Sequence, residues 1–561
     1  MSVFIGIDVG TGSARAGVFD ASGALLASQK HDIQMWRAVG GIAEQSSDDI
    51  WQAVCSSVRA AVADAGIDAG DIAGIGFDAA CSMVVLDEQM APLCISASQE
   101  PQRNVIVWMD HRATPQAERI NAQGHPVLDY VGGRISPEMQ TPKLLWIKEN
   151  RPETFAAAGQ FFDLPDFLTW AATGALTRSA CTVTCKWTYL AHEDRWDDSY
   201  FDQIGLSELP AEGYQRIGQQ IVPPGQALAA GLTAAAAAQM GLRAGTPVGA
   251  GLIDAHAGGI GTVGADPATT MAYVFGTSAC TMATSAKPHK VPGVWGPYYS
   301  AMVPDLWLSE GGQSAAGEAI AHLCAIHPAR HQASEMADAA GLSLQASLLN
   351  EVERRMPEVS QAVTLAGPRV IVPDFHGNRA PYADPDATAV ISGLTLAQDL
   401  DDLVATYVAG VLGIGYSLRQ IMQVQAEHGV CPSAIVVSGG AGESPTIKQL
   451  IADASGFPVL ATHSPEPVLL GAAMLGAVAG GQYTTLTDAM AAMSSIKTRF
   501  SPARGPIADL HDARFDALPT LQQADHTLRS ALAPLPLTTS SIVGNHGLGL
   551  PRLRPEARAV P

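Results

Sequence analysis

Positive charge is scarce in this chain: its 561 residues hold 33 Lys and Arg against 54 Asp and Glu, a formal net charge of −21. A nucleic-acid partner, whose phosphate backbone needs a basic face, is therefore not expected. Long apolar runs are missing too. None approaches the roughly 20 residues needed to span a bilayer, and no basic region followed by an apolar core opens the chain, so neither a membrane partner nor a signal peptide is expected. The Ala-rich segment Leu228–Met240 is broken by Gly and Gln and reads as soluble helix. The eight cysteines are scattered. Only Cys181 and Cys185 lie close together, and without a nearby His or Cys they form a poor metal pattern. Buried free thiols in a reducing, cytoplasmic compartment are the expectation. A Gly-Lys-Ser or Gly-Lys-Thr sequence is also absent, so any nucleotide site must work without the P-loop lysine.

Hydrophobic residues make up 47% and charged residues 16% of the chain, the balance of a well-buried globular protein. Its length exceeds what one core sustains, so two or more domains are expected. Near the start, Phe4-Ile-Gly-Ile-Asp8-Val-Gly-Thr-Gly-Ser13-Ala-Arg-Ala-Gly-Val-Phe19 reads as a strand, a glycine-rich turn with hydroxyls, and a second strand. Asp8 ends the first strand, where a carboxylate can hold hydrated Mg²⁺. Gly10 to Ser13 offer small side chains, backbone N–H groups and hydroxyls that can wrap a phosphate. The same residues suit an ordinary hairpin turn. Alone, the stretch fits both.

The chain is organised as alternating α/β. Strands are expected at Phe4–Asp8, Ala14–Phe19 and Ile72–Phe77, with a helix opened by Ser46-Ser-Asp-Asp and running to about Ala65. Met271-Ala-Tyr-Val-Phe-Gly276-Thr-Ser-Ala-Cys-Thr-Met282 repeats the opening pattern of strand, small-residue turn and strand. Two copies of one unit imply a duplicated two-lobed α/β fold with an interdomain cleft, a common place for small-molecule sites. A long helix is expected from Leu400 to His428, closed by Gly429. A buried strand at Ala434–Ser438 then runs into Gly439, Gly440, Ala441 and Gly442, with helices from about Thr446 and over Pro467–Val478. Beyond Arg504 no clear periodicity is visible. The expected division is residues 1–265, residues 266–500 and an irregular tail over 501–561.

Together these segments carry a resemblance. Gly6-Ile-Asp8-Val-Gly-Thr, Gly276-Thr-Ser and Ser438-Gly-Gly-Ala-Gly442 resemble the two phosphate motifs and the adenosine motif of the actin/hexokinase/Hsp70 ATPase fold. Gly251-Leu-Ile-Asp254-Ala-His256-Ala-Gly is similar to the catalytic-base segment of the FGGY carbohydrate kinases. The similarity runs to about residue 500. Gly76-Phe-Asp78-Ala-Ala-Cys-Ser82, Trp108-Met-Asp110-His111-Arg112-Ala, Thr184-Cys-Lys186-Trp-Thr, Glu310-Gly-Gly-Gln313-Ser and Phe375-His-Gly-Asn378-Arg379-Ala-Pro resemble the ribulokinase branch.

The resemblance implies an ATP-dependent kinase of a pentulose, D-ribulose ahead of L-ribulose, with xylulose or ribitol as alternatives and a sugar-sensing protein of the same fold as a further one. Asp254 is then the catalytic base that accepts the sugar hydroxyl's proton, although a carboxylate there also suits a helix N-cap. Asp78, Trp108, Lys186, Asp254 and Glu310 are implied to bind the sugar. Thr11, Gly12, Ser13, Gly276, Thr277, Ser278, Gln313, Asn378, Gly439, Gly440 and Ala441 are implied to bind ATP. Asp8, with Asp254, is implied to hold Mg²⁺. Asp110, His111 and Arg112 fit a site role and a structural ion-pair cluster equally. Gly259-Ile-Gly-Thr-Val-Gly264 satisfies a dinucleotide-binding pattern, but no helix opens after it with an acidic residue downstream, so that reading is set aside. A homo-oligomer, such as a dimer, is left open.

Overall fold

A computed structural model describes residues 2–264 and 266–532. Strand β1 (Val3–Val9) turns back into β2 (Ser13–Asp20), and β2 into β3 (Leu25–Asp32), an antiparallel meander. On the other side of β1, β4 (Ile72–Ala79) and then β5 (Leu252–Ile253) run parallel, giving the order β5-β4-β1-β2-β3. β1 is buried along its whole length, as a central strand covered on both faces must be. Helix α1 (Ser47–Ala65) covers one face; the Ser46 hydroxyl accepts the Asp49 N–H at its start and Gly66, at φ 64°, stops it.

The second unit repeats the first. Strands β6 (Thr270–Phe275), β7 (Ala279–Ser285), β8 (Trp295–Tyr299), β9 (Trp307–Gln313), β10 (Ala434–Ser438), β11 (Val459–Thr462) and β12 (Ile496–Phe500) form one sheet in the order β8-β9-β7-β6-β10-β11-β12. Within it, the antiparallel run β6-β7-β9 and the parallel partners β10 and β11 match β1-β2-β3 with β4 and β5. The duplicated two-lobed α/β fold is therefore present. A further small sheet in the first lobe joins 36–38, 42–45, 105–106, 83–87 and 158–163 and delivers the chain to Trp108.

Five more helices frame the cleft and its supports: α2 (Ala180–Trp187), α3 (Asp254–Val263), α4 (Leu400–Glu427), α5 (Pro467–Ala479) and α6 (Pro506–Leu532). The long α4 ends as expected, with Gly429 left-handed at φ 92° just beyond it. Helix α5, although late in the chain, lies on the first lobe's sheet. A Cβ on Gly6, Gly74 or Gly76 would stand 1.9–2.0 Å from the α5 carbonyls of Leu469, Gly476 and Ala472. Gly261 of α3 and Gly471 of α5 approach in the same way, their would-be Cβ atoms 1.9 Å from the Pro467 carbonyl and 2.0 Å from that of Ala257. The glycine-spaced stretch 259–264 thus sits at a helix–helix crossing and opens no dinucleotide site. A division at residue 265 separates the two sheets, but α5 belongs with the first of them.

Two expectations need correction. In the Ala-rich stretch from Leu228, only Ala234–Met240 is helical, capped by Thr233; before it the backbone turns through Gly231 at φ 80°. The segment beyond 501 is not irregular throughout, because α6 occupies Pro506–Leu532 and docks on the second lobe. His511, Arg514, Phe515 and Leu518 form its buried stripe. The Arg514 guanidinium donates to the carbonyls of Arg369 (2.8 Å) and Gly367, and Arg529 pairs with Asp384 at 2.6 Å. Pro519 inside the helix normally costs about 3 kcal/mol, and the docked face offsets it. The rest of the expected tail, 533–561, lies outside the described residues. Among the described residues no helix is long and apolar enough to cross a membrane.

Gly471→Val should lower stability by about 1–3 kcal/mol, because α3 and α5 must separate to admit the side chain. Gly12→Ala, whose Cβ would meet nothing within 4 Å, should change it by less than about 0.5 kcal/mol. Denaturation midpoints that coincide for the two variants would contradict this account of the crossing.

Candidate active site

Three carboxylates meet where β1, β4 and β5 end. Asp8 and Asp78 are register partners on β1 and β4, and Leu252 pairs with Asp78, so the next strand delivers Asp254 beside them. Asp8 is also the register partner of Arg15 on β2. The Arg15 Nε donates to Asp8 Oδ2 at 2.8 Å, and its Nη1 to Glu466 Oε2, just before α5, at 2.7 Å. Asp78 is fully buried and, as a carboxylate, finds no donor for either oxygen. Burial, then the Asp8 charge, push its pKa well above the carboxylate norm. Asp254 opens α3, half-buried, with Oδ1 accepting the Ala255 N–H at 2.7 Å. Burial and the nearby Asp8 raise it to about 6.

An orphaned buried carboxyl beside two others is an arrangement that a divalent cation relieves. No three His, Cys, Asp or Glu side chains among the described residues form a ready cage.

A glycine turn follows the first strand in each lobe. In the first, the Gly10 N–H donates to the Ser13 carbonyl at 3.0 Å, and Gly12 is exposed with open space around it. In the second, the Gly276 N–H donates to the Ser278 carbonyl at 2.9 Å, while the Thr277 carbonyl accepts from Ala316 and Glu318 at the start of the next helix. Gly439, at φ 88°, leaves no room for a Cβ, which would stand 2.7 Å from the Phe275 carbonyl; Gly440 is open.

The sugar-side residues converge at the base of the same cleft. Trp108 is fixed at three points: its indole Nε1 donates to Thr11 Oγ1 at 2.9 Å, its N–H to Ser82 Oγ at 3.2 Å, and its carbonyl accepts from the buried Lys143 at 3.4 Å. Burial lowers Lys143 to about 8. Lys186, on α2, is buried; burial opposes its charge, but the acidic groups of Cys81, Glu310 and Tyr298 hold its pKa well above the lysine norm. Glu310, on β9, is buried as well. Burial works against its ionisation, yet His256 and Lys186 outweigh it and hold it at about 2.

The structure thus brings together Asp8, Thr11, Asp78, Trp108, Lys186, Asp254 and Glu310, with the Gly276–Ser278 turn across the cleft. Two implied nucleotide ligands are placed differently. The buried Gln313 amide donates to the Ile414 carbonyl at 2.8 Å and accepts from Tyr273 at 2.6 Å. The Asn378 side chain bonds Asp374 and the Tyr382 N–H and lines a cavity of about 540 Å³ against α6. Both amides are held by partners within the second lobe. Asp110 and Arg112 resolve as a structural cluster: Arg112 pairs with Asp110 at 2.7 Å and Glu44 at 2.8 Å, its guanidinium 4.9 Å from the Trp146 ring. His111 is exposed, 3.6 Å from Glu138.

Several residues of the site do not stand out in the sequence. Arg15 is legible in principle, since the short turn fixes the β1/β2 register and so sets it opposite Asp8. Glu138, held below the glutamate norm against its burial by His111 and Lys186, has no such signal. Arg379 stands over Trp295 at 5.6 Å and 3.8 Å from Cys280 Sγ, reaching the cleft from the second lobe.

Family models agree with this architecture. The N-terminal domain of the FGGY family of carbohydrate kinases matches residues 3–261, and its C-terminal domain residues 271–480. The chain belongs to the FGGY family of carbohydrate kinases. It is 46% identical over 509 residues to the FGGY carbohydrate kinase domain-containing protein of Homo sapiens, covering 88% of this chain and 91% of that one. It is 37% identical over 517 residues to a D-ribulokinase of Saccharomyces cerevisiae, covering 86% and 72%. The crystal structure of a xylulose kinase from Rhodospirillum rubrum matches with a TM-score of 0.77 at 22% identity, covering 94% and 99%, a likeness of fold. The enzyme class is that of an ATP-dependent sugar kinase.

Because burial raises Asp254, the folded state prefers its protonated form. Its contribution to stability is fully present below about pH 4, where the unfolded chain also holds the proton, and is lost as pH rises through about 6. Asp254→Asn should therefore flatten part of the fall in thermal midpoint that the wild type shows between about pH 4 and pH 7. Parallel curves for the two proteins would show that Asp254 is not strained by its surroundings.

Proposed function

We propose that the chain transfers the γ-phosphoryl group of ATP to the terminal hydroxyl of a pentulose, D-ribulose ahead of L-ribulose, giving ribulose 5-phosphate. The observation that carries this reading is Asp254, a half-buried carboxylate held near neutrality between the Asp8 cluster and the Lys186–Glu310 pair. A base of that pKa can take a hydroxyl proton at physiological pH. The yeast relative's name supports ribulose as the acceptor.

In this reading Lys186 and Glu310 hydrogen-bond the sugar hydroxyls, with Asp78 behind them, and Trp108 offers the carbon chain an apolar face. Trp108 is also tied to Thr11, so the sugar floor and the phosphate turn are set by one contact. Thr11, Gly12 and Ser13 cradle the phosphates from one side, and Gly276, Thr277 and Ser278 from the other. Gly439, Gly440 and Ala441 let the backbone approach the adenosine. Most of the acceleration comes from alignment, because phosphoryl transfer leaves little covalent work for protein groups. Asp8 would hold Mg²⁺ through water, with Asp254 close enough to share it, and the cation would neutralise phosphate charge that no P-loop lysine meets. Eight free cysteines, five of them buried, support a reducing cytoplasmic setting.

ADP release should be measured with D-ribulose, L-ribulose, D-xylulose, ribitol and glycerol. D-ribulose should give the highest kcat/KM, and Asp254→Asn should lose turnover by about 10²–10⁴-fold while still binding ATP. In the wild type, kcat/KM should fall on the acid side below about pH 6, as Asp254 gains its proton. Turnover confined to xylulose or glycerol would overturn the substrate, and undiminished turnover in the Asn variant would overturn the base.

A further inference from the structure

Behind the sugar-facing residues lies a buried chain of side chains that phosphoryl transfer itself does not use. Cys181 of α2, at 0% exposure, accepts the Ile253 N–H on its Sγ at 3.3 Å. The same sulfur is 3.1 Å from Nδ1 of His256, itself 1% exposed. The opposite ring nitrogen, Nε2, lies 3.5 Å from Glu310 Oε2. This one chain therefore joins α2, which carries Lys186, the β5–α3 junction, which carries Asp254, and β9, which carries Glu310.

A histidine satisfied by two backbone groups would be part of the fold and nothing more. Here one partner is a carboxylate at the base of the cleft. Among the described residues His256 is the one hydrogen-bond donor that reaches Glu310. The remaining lone pairs of that carboxylate are free to accept from a polyol. Glutamate has three side-chain torsions, and a carboxylate pinned at one oxygen has fewer to freeze when the sugar binds.

We propose that His256 is a positioning residue: bridged between Cys181 and Glu310, it fixes the Glu310 carboxylate for the sugar hydroxyls and locks it to the strand end that carries Asp254. The inference rests on the reading of Glu310 as a sugar ligand. Cys181 acts one step further back, holding the ring by Nδ1 and the Ile253 peptide by the same sulfur.

Glutamine and asparagine at position 256 separate the two ends of the ring. His256→Gln places an amide near the site of Nε2 and keeps the donor to Glu310. His256→Asn places it near Nδ1 and keeps the Cys181 contact alone. Binding of D-ribulose without ATP, followed by calorimetry, should weaken about 10–100-fold in His256→Asn, the loss typical of removing one hydrogen bond to a charged group. It should stay within about 3-fold in His256→Gln, which keeps that hydrogen bond, and the KM for ATP should be unchanged in both. Cys181→Ala, a milder change that removes the contact to Nδ1 and spares both the ring and Glu310, should weaken sugar binding by about 3–10-fold, again with the KM for ATP unchanged. Equal affinities in the Gln and Asn variants, or unaltered affinity in Cys181→Ala, would overturn the positioning role. Glu310→Gln serves as the separate arm: if that variant binds D-ribulose as the wild type does, it is the assignment of Glu310 that fails.

Discussion

The seating of α5 on the first sheet is the constraint on which the site depends. Gly6, Gly74 and Gly76 let the helix backbone rest against the strands with no side chain between them, and Gly261 and Gly471 bring α3 against α5 in the same way. Such contacts tolerate almost no sliding, since a fraction of an ångström is the whole clearance. They fix the levels of β1, β4 and α3 relative to each other, and each of those elements carries one carboxylate of the cluster at its end. At the start of α5, Glu466 takes the second arm of the guanidinium that neutralises Asp8. One helix therefore sets both the spacing and part of the charge balance.

Duplication supplied two similar cradles, and only one carries acids. In the first lobe the register pair at the strand ends is Asp8 with Asp78; in the second the equivalent pair is Val274 with Ser438. Both lobes keep a small-residue turn after the first strand, closed by the same kind of N–H to carbonyl bond. In the proposed reading, phosphate would be gripped from both sides, while proton transfer and a bound cation would be confined to one wall. A second acidic wall would set carboxylates against the phosphates they must approach.

What can be read in the sequence is what local chemistry decides. The strands at 3–9, 13–20 and 72–79, the cap at Ser46 and the stop at Gly429 each depend on a few adjacent residues. The repeat of the glycine turn reveals the duplication for the same reason. Helix α6 escapes such a reading because Pro519 interrupts the pattern and its buried stripe mixes Phe515 and Leu518 with His511 and Arg514. The Arg514 side chain faces inward only because carbonyls of another segment wait there. Gln313 and Asn378 show the opposite limit: nothing adjacent in sequence reveals the partners that hold their amides, Ile414 and Tyr273 for one, Asp374 and Tyr382 for the other.

The cleft ends in two charge environments of opposite design. At one end Glu310 is drawn down to about 2 by His256 and Lys186, so it is a fixed anion and a poor acceptor of protons. At the other, Asp254 is raised to about 6 by burial and by Asp8, so it binds and releases a proton near neutral pH. Two carboxylates with pKa values pushed apart by their surroundings take different tasks. In the proposed reading, the hydroxyl that loses its proton would lie on the Asp254 side, and the hydroxyls that only need holding on the Glu310 side. Trp108, bonded to Thr11 and backed by Lys143, stands at the junction of the sugar floor and the phosphate turn. In the proposed reading, a shift of that ring would disturb sugar and phosphate together, so alignment would be carried by the scaffold rather than by the substrate.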